Sequence, residues 1–517
     1  MINNTSNETS VDIVTMKHES ERTVRPHRRR RRSIIREFCL NTSTHALPAI
    51  ARSENHYNRA FWLISFLIFT IIMIYFTVAA IMSYFKYPTS IDISYDSDWQ
   101  QYFAAVSFCN IAALRFDRFI EPFLNYTNSL NITNTNDTTT ISEYQSQFIW
   151  PFLIDQVNKN VSSEDYFFPL SSMLQECIYN FETCTSADFI SFISPSYGLC
   201  HTFNAKLKNS TDDSLRLGNF YGGSGILSLS LYVNSYQYVP YSTDAAGVLV
   251  LIHDNRQVPM IETSGVELGP GRRHKISYRK KKTNFLSSPY TDCTDNISNS
   301  MKAMFNNYYP ADYVYSQSSC YQICQQTYVY EQCGCVFPYL WYIRWIILPG
   351  TDDIIFAPVC HPQDSCFNIA SKKLFASTSL MKYYCSDCSQ ECSTSSFVLQ
   401  TSSSMSYINS NIDKIKNFVE TSSMPLPNNW TTTWRQYIYE NYLSVNILHE
   451  TTITETNTQI STLGVVDIIS NIGGQTGLWI GISFLSIVEF IEMIYRLLRY
   501  QVHLIRESIH RKINIIQ

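Results

Sequence analysis

An uncharged apolar run of 23 residues, from Ala60 to Met82, constrains this chain more than any other feature. A helix of that length can cross a hydrocarbon core of about 30 Å. A second uncharged stretch lies between Asp467 and Glu489. Either stretch alone can be the buried helix of a soluble protein, but the pair favours a chain that crosses a membrane twice. A signal peptide is not favoured for the first run, because some sixty residues precede it and no small-residue cleavage site follows.

Charge is distributed unevenly around these runs. Residues 1–59 carry a net charge of +5, including the arginine block 28–32, and residues 496–517 carry +4, which leaves −13 for the region between them. Positive flanks favour the cytoplasmic side, so we expect both termini inside. The arginine block can also be read as a nucleic-acid patch. Beside a membrane span the topological interpretation is more economical; such a block also attracts anionic lipid, and no nucleic-acid partner is predicted.

Cysteine distribution agrees with this topology. Fourteen of the 15 cysteines lie between the two runs, and only Cys39 lies in the inner segment. An even number outside is typical of disulfides in an oxidising compartment. The spacings Cys333-x-Cys335 and Cys385-x-x-Cys388 also fit a zinc site, but outside the cell disulfides are favoured and no metal is predicted.

Glycosylation sequons point to the same side of the membrane. The predicted sites are Asn125, Asn131, Asn136, Asn160, Asn209, Asn296 and Asn429.

The sequence therefore predicts a membrane protein with two transmembrane helices and a large α+β, disulfide-rich extracellular domain. Its predicted divisions are a cytoplasmic segment 1–59, a first helix 60–82, an ectodomain 83–463, a second helix 464–495 and a cytoplasmic tail 496–517. Two helices cannot enclose a pore, so a channel built from this chain must be an oligomer.

The second run is unusually rich in small residues. Gly473, Gly477 and Gly481 recur every fourth residue, which sets them on one helix face where backbones can approach closely. A helix that unwinds near Gly481 can aim backbone carbonyls at an ion. Glu489 follows at membrane depth; the residues alone leave open whether it lines an ion path or pairs with Arg496.

Five sequence blocks resemble the epithelial sodium channel/degenerin family, and the resemblance runs from about His45 to Leu498. The blocks are FAAVSFCN at 103–110, GLCHTFN at 198–204, SPYTDC at 288–293, SSCYQICQQTYVYEQCGCVFPYL at 318–340 and SNIGGQTGLWIGISFLSIVEF at 470–490. The segment YFKYPTSIDISY at 84–95 looks closest to the peptide-gated and bile-acid-sensitive branches.

The resemblance implies a trimer of hand-like subunits with a palm, ball, finger and thumb. It implies a selectivity filter at Gly481, Ile482 and Ser483, and an acidic pore residue at Glu489. It also implies gating positions at Ser470 and at His45-Ala46, where the family has His-Gly. Alanine does not adopt a positive φ cheaply, so gating is expected to differ if the turn requires one.

The same resemblance implies seven disulfides, the last five of them nested along a helical thumb. The pairs are Cys109–Cys200, Cys177–Cys184, Cys293–Cys392, Cys320–Cys388, Cys324–Cys385, Cys333–Cys366 and Cys335–Cys360.

The function implied is a sodium-selective channel subunit of the plasma membrane, in a homo- or heterotrimer, blocked by amiloride and opened by an extracellular neuropeptide. Gating by acid, bile acid or mechanical force, or a constitutive current, are the alternatives within the family. A purinergic receptor channel and a non-conducting receptor or adhesion subunit are the rivals outside it. No nucleophile elbow, P-loop or HExxH motif occurs, so no enzyme is predicted, and no cofactor beyond the permeant Na⁺.

One basic stretch, residues 271–282, has two interpretations. It fits a protease cleavage site, or a solvated strand face, and the strand is favoured.

Overall fold

The chain was analysed as a computed structural model that describes residues 26–97, 101–211, 214–218, 225–306 and 310–516. Residues 1–25 of the expected cytoplasmic segment lie outside the described residues. The chain divides into two compact units, one formed by Met1–Pro88 with Ser461–Gln517 and the other by Thr89–Ile460.

Helices occur in both units. They are α1 Pro26–Asn41, α2 Leu47–Arg52, α3 His56–Tyr84, α4 Phe116–Ser129, α5 Glu143–Ser146, α6 Ile149–Asn158, α7 Leu170–Met173, α8 Ile261–Ser264, α9 Asn299–Phe305, α10 Gln317–Cys333, α11 Cys366–Ala376, α12 Thr378–Tyr384, α13 Ile412–Thr421, α14 Trp430–Asn441, α15 Val465–Ile480 and α16 Phe484–Ile516.

Strands build the second unit. They are β1 Thr89–Ser97, β2 Ala105–Asn110, β3 Leu174–Tyr179, β4 Glu182–Thr183, β5 Phe189–Ser194, β6 Gly198–Phe203, β7 Ile226–Tyr232, β8 Val248–His253, β9 Val266–Leu268, β10 Arg272–Asn284, β11 Trp345–Ile347, β12 Ile354–Phe356, β13 Ser393–Met405, β14 Tyr442–His449 and β15 Ile453–Ser461.

Helix α3 contains the whole of the first apolar run. It begins after Asn55, whose side-chain oxygen accepts the Tyr57 N–H at 3.1 Å and so caps the first turn. Its 29 residues span about 44 Å, and none of them is buried within the chain. Among the described residues, α3 is the one helix that is by itself long and apolar enough to cross a membrane. Helices α15 and α16 qualify as a second span only together, as one span bent by 71°.

The larger sheet of the second unit is organised around β10. This strand pairs antiparallel with β13 along its whole length, and on its other side parallel with β14 and then β15. The basic stretch 271–282 is therefore held in a sheet on both sides. A protease needs its substrate as an unpaired extended segment, so the geometry favours the strand over the cleavage site.

A five-stranded sheet, in the order β5-β6-β2-β8-β9, packs with the larger sheet around one apolar core. Every residue of β2 is buried, which explains why its sequence AVSFCN lacks the alternation of a half-exposed strand. Phe103 is fully buried at the centre, edge-to-face with Tyr278 at 5.7 Å and with Tyr179 at 5.1 Å. These aromatic contacts tie the two sheets together.

Helices α10, α11 and α12 form a disulfide-braced bundle. Cys320 and Cys324 are four residues apart on α10, so both face the end of α12, where they bond Cys388 and Cys385. The structure joins the seven pairs that the resemblance implies, Cys109–Cys200, Cys177–Cys184, Cys293–Cys392, Cys320–Cys388, Cys324–Cys385, Cys333–Cys366 and Cys335–Cys360. Each such bridge typically contributes about 2–4 kcal/mol to folding stability.

Two histidines are buried in the five-stranded sheet. His253 Nδ1 lies 2.9 Å from the carbonyl oxygen of Asp254, so that nitrogen carries the hydrogen, and Nε2 accepts from Ser107 Oγ at 2.8 Å. Burial lowers the pKa of His253 to about 4, and it lowers the pKa of His201, which lies on β6 at the other side of β2, in the same way. Both rings are therefore neutral in the folded protein at physiological pH.

This burial predicts acid sensitivity of the second unit. Between pH about 6.5 and about 4, the His253 side chain binds a proton in the unfolded chain but stays neutral in the folded protein. The free energy of unfolding therefore falls as the pH drops through this range. The loss attributable to His253 is roughly 3 kcal/mol at the acid end. We expect the thermal midpoint of the purified protein to fall over this range, and to fall less in His253→Gln. The exposed His361→Gln variant should follow the unsubstituted protein; if it matches His253→Gln instead, His253 is not the group responsible.

Candidate ion pathway

Helix α15 packs against α3 through one aromatic side chain. The Trp479 ring stacks on Phe69 and on Phe76, each with a centroid distance of 6.0 Å. Its indole N–H donates to Gln475 Oε1 at 2.7 Å, which satisfies the polar end of the ring within the same helix. One face of α15 is thereby fixed against α3.

The opposite face of α15 carries its smallest residues. At 100° per residue, Ser470, Gly474 and Gly477 lie across the helix from Trp479. All three are exposed, and a methyl group placed on either glycine meets no described atom within 4 Å. Gly473, beside them, is equally open. The small-residue face is therefore uncovered within the part of the chain that the structure describes.

Helix α15 ends at Gly481, as the sequence suggested. Gly481 has φ +71°, a conformation that glycine adopts without steric cost, and its N–H still donates to Gly477 O at 3.1 Å. Residues 481–483 are not helical, and α16 begins at Phe484 with its axis turned by 71°. Ser483 is exposed and Ile482 half-buried at this break.

A loop from the N-terminal segment closes on the break. The His45 N–H donates to the carbonyl of Ile480 at 2.9 Å, and Ile480 is buried. The His45 ring lies so close to Gly481 that a methyl group there would come within 2.8 Å of it. Two constraints therefore require a glycine at position 481: its backbone has a positive φ, and the His45 imidazole leaves no room for a side chain.

Ala46 holds the strained position in this loop. Its φ is 68° and its ψ −33°, and the Leu47 N–H donates to His45 O at 3.0 Å, which makes Ala46 the centre of a γ-turn. A turn of this hand is rare and strained for a residue with a Cβ. The structure therefore requires at Ala46 the positive φ that the family's glycine supplies easily.

Three serines join the loop to the start of α16. Ser483 and Ser486 cap each other, since the Ser483 N–H donates to Ser486 Oγ at 3.0 Å and the Ser486 N–H donates to Ser483 Oγ at 3.3 Å. Ser43 Oγ lies 2.5 Å from Ser486 Oγ, and Ser486 is buried. The sequence analysis did not identify Ser43 or Ser486. The three-residue spacing of Ser483 and Ser486 signals an N-cap, but nothing local signals Ser43.

The Glu489 carboxylate accepts a hydrogen bond from the backbone and does not pair with Arg496. The Ser43 N–H donates to its Oε2 at 3.2 Å. Arg496, the alternative partner, instead pairs with Glu492 at 2.7 Å and with Glu37 of α1 at 3.2 Å. These carboxylates and Arg496 line a cavity of about 260 Å³ between α1 and α16. The sequence left open whether Glu489 lines an ion path or pairs with Arg496. The structure does not form the Glu489–Arg496 pair.

Other expected site residues lie apart from the break. The seven sequon asparagines are all exposed in the second unit. Within the described ranges, no group of three or more His, Cys, Asp or Glu side chains is arranged to hold a metal ion.

The arrangement combines an exposed hydroxyl, unwound backbone and a nearby carboxylate. Oxygen atoms of this kind replace the hydration shell of a small cation. Non-helical backbone at membrane depth is tolerated where it lines a water-filled cavity. Gly481–Ser483 therefore carries hydroxyl and backbone oxygens of the kind that coordinate a small cation.

Known proteins share this sequence pattern. The profile of the amiloride-sensitive sodium channel family matches residues 38–493. The Mus musculus epithelial sodium channel subunit alpha is 25% identical, covering 93% of this chain and 77% of its own length. Acid-sensing ion channel 1 of Gallus gallus is 26% identical, covering 90% and 84%. Degenerin mec-4 of Caenorhabditis briggsae is 29% identical, covering 62% and 38%.

Ala46→Gly should stabilise the loop that closes on Gly481. Glycine removes the steric cost of the positive φ, with an expected gain of about 1 kcal/mol. The thermal midpoint of the purified full chain measures the gain. Ala51→Gly, in the regular helix α2, provides the matched control and should destabilise by about 1 kcal/mol. Equal effects of the two substitutions would contradict a strained turn at Ala46.

Proposed function

We propose that this chain, which belongs to the amiloride-sensitive sodium channel family, is a pore-forming subunit of a sodium-selective channel in the plasma membrane. We expect amiloride to block it. The observation that carries the proposal is the break at Gly481–Ser483, held open between two helices by His45 and Ser486. In a membrane, unwound backbone between two apolar helices is tolerated where it lines a water-filled cavity.

The membrane topology follows from two spans. Helix α3 is the first, and α15 with the first turns of α16 is the second. Both termini are then cytoplasmic, in agreement with the net charges of +5 and +4 at the two ends of the chain. The unit with the seven disulfides lies outside, where an oxidising environment preserves them.

The assembly is a trimer of like subunits, identical or mixed. A two-span subunit cannot surround a pore, so the pore requires several copies. The uncovered face with Ser470, Gly474 and Gly477 supports this, because small residues let helices from neighbouring copies approach closely. Three copies of Gly481–Ser483 then form the constriction, with Glu489 on its cytoplasmic side.

An extracellular neuropeptide is the proposed stimulus. It rests on the resemblance of residues 84–95 to the peptide-gated and bile-acid-sensitive branches. Gating by acid, bile acids or mechanical force, and a constitutive current, are the alternatives. Applying acid, a peptide library and bile acids in turn to oocytes that express the chain separates these stimuli. A chain that reaches the surface and carries no current under any of them, alone or co-expressed with related subunits, is a non-conducting receptor or adhesion subunit instead.

Ser483 substitutions test the constriction. Replacing Ser483 with Asn adds bulk where three hydroxyls converge, and should lower the Na⁺/K⁺ permeability ratio or abolish current while surface expression persists. Ser264→Asn, the same substitution at an exposed serine of α8 in the second unit, is the matched control and should keep the ratio. Current–voltage recordings in Na⁺ and K⁺ give the ratio. If both variants keep the original ratio, the filter lies elsewhere.

Ser470 substitutions test the closed gate. A large side chain at Ser470 crowds the three helices when the pore shuts, and overpacking of this kind costs about 1–3 kcal/mol. Because this free energy destabilises the closed state and not the open one, the ratio of open to closed channels rises by roughly five- to a hundredfold. Ser470→Tyr should therefore give a standing Na⁺ current without stimulus, and the size-conserving Ser470→Ala should not. A silent Ser470→Tyr channel at the surface would place Ser470 away from the gate.

A further inference from the structure

The hairpin of β3 and β4 presents an aromatic side chain to solvent at its tip. The loop between the two strands consists of Asn180 and Phe181 alone. A disulfide between Cys177 and Cys184 closes the hairpin at its base. The Phe181 side chain is 82% exposed, although phenylalanine is among the residues that proteins most often bury.

The backbone at this tip is unfavourable for phenylalanine. Asn180 has φ 51° and Phe181 has φ 67°, so both central residues of the two-residue turn lie in the left-handed region. Turns of this type favour asparagine and glycine, and a positive φ is an outlier for a bulky residue. Strain of this kind points to a contact that uses the ring. Because the ring is mostly exposed within its own chain, that contact is with another molecule.

Negative charge surrounds the tip. The hairpin contains Glu176 and Glu182 and no basic residue. The Glu182 side chain directly follows Phe181 and is 81% exposed. It lies 3.9 Å from Arg216, which pairs more closely with Asp188 at 2.7 Å, so the Glu182 carboxylate is open to a second cation. An acidic tip does not fit an anionic lipid surface, and two such tips would repel each other.

The outer face of α11 has the complementary chemistry. Ile369 is 63% exposed, and the exposed Lys372 and Lys373 lie one turn further along the same side of the helix. Phe367 and Leu374 lie across the helix and are buried in one cluster with residues of α10. Helices α11 and α12 together carry three lysines and no acidic residue. An exposed aliphatic side chain next to two lysines fits an aromatic ring that is followed by a carboxylate.

We propose that Phe181 of one copy docks beside Ile369 on the outer face of α11 in a second copy of this chain. Glu182 then pairs with Lys372 and Lys373. The proposal rests on the proposed function in one respect, since it needs several copies side by side. Copies that share a membrane assembly meet at high effective concentration, so a small contact suffices. A contact between two different patches is heterologous and closes into a ring when the rotation between copies fits.

Crosslinking between two differently tagged copies tests the contact. Both full chains carry Cys39→Ser, which leaves every other cysteine in a disulfide. One copy carries Phe181→Cys and the other carries Ile369→Cys. Two cysteines bond only where their Cα atoms lie within about 7 Å, so mild oxidation should join the two tags in one product. In the control, Tyr241→Cys replaces Phe181→Cys, and this exposed aromatic position with φ 64° should give no such product.

Phe181→Gly separates docking from folding. Glycine relieves the strained turn, so this hairpin should fold at least as well as the original one. The substitution also removes the ring that covers α11 of the next copy. Loss of a buried phenylalanine ring changes a binding equilibrium by at least about tenfold, so a water-soluble maleimide should modify Ile369→Cys faster by a similar factor. Phe181→Tyr keeps the ring and should keep the protection.

Charge reversal tests the ion pairs. Glu182→Lys should slow the crosslinking of Phe181→Cys with Ile369→Cys by up to about fivefold, which is the range of an exposed ion pair. Lys372→Glu with Lys373→Glu in the second copy should restore the rate. Glu121→Lys, an equal charge change at an exposed position of α4, should leave the rate unchanged.

Three outcomes would overturn the proposal. Equal product from Phe181→Cys and Tyr241→Cys means that the copies meet by random collision. A product that joins two Phe181→Cys copies instead means that the hairpin tips meet each other. Unchanged reactivity of Ile369→Cys in Phe181→Gly means that the ring does not cover α11.

The two tags also separate this inference from the proposed function. Copies that do not co-purify would remove both the proposed trimer and this contact. Copies that co-purify and carry a sodium current, but form no crosslink, would remove the contact alone.

Discussion

The hydrogen bond from the His45 N–H to the Ile480 carbonyl determines much of the first unit. It satisfies a carbonyl at the last residue of α15, which the turn at Gly481 removes from the helical ladder. With that carbonyl occupied, the chain can leave the helix, turn through 71° and restart as α16. A buried helix end without such a partner would be costly, because water does not reach it freely.

Two residues with positive φ, Gly481 and Ala46, lie close together at this place. Gly481 accepts its positive φ at no cost, whereas Ala46 accepts one against its Cβ, and the His45 ring between them touches the glycine. Strain of this kind persists only where the surrounding contacts determine the conformation. Here they do, because Ser43 bonds Ser486 and Glu489 at one end of the loop and the His45 N–H bonds the Ile480 carbonyl at the other.

Local patterns in the sequence indicate much of this architecture. Uncharged runs predict the spans, glycine spacing indicates the open face of α15, and the turn at Gly481 follows from the small-residue pattern. The resemblance alone supplied the disulfide pairs, because fourteen cysteines allow far too many connectivities for spacing to choose among them. Helix α16 continues from Phe484 to Ile516, so the backbone stays helical across residue 495, where the sequence predicts the end of the second transmembrane segment.

Tertiary contacts explain what the sequence could not indicate. Ser43 and Ser486 are separated by 443 residues, and no periodicity links them. The sequence predicts a solvated strand face for the basic stretch 271–282, but it does not indicate that β10 pairs with the antiparallel β13 on one side and with the parallel strands β14 and β15 on the other. Its alternate side chains, among them Ile276 and Tyr278, are buried, and this pattern is masked by the many lysines and arginines around them.

Helix α16 also has a mechanical property that follows from its length. Its 33 residues form a rod of about 50 Å whose only joint to α15 is the three-residue break. A rotation of about 10° at the joint would carry the far end through about 9 Å, and a force on the far end acts on the joint with the same leverage. The proposed constriction therefore lies at the pivot of α16, the longest helix in the described part of the chain.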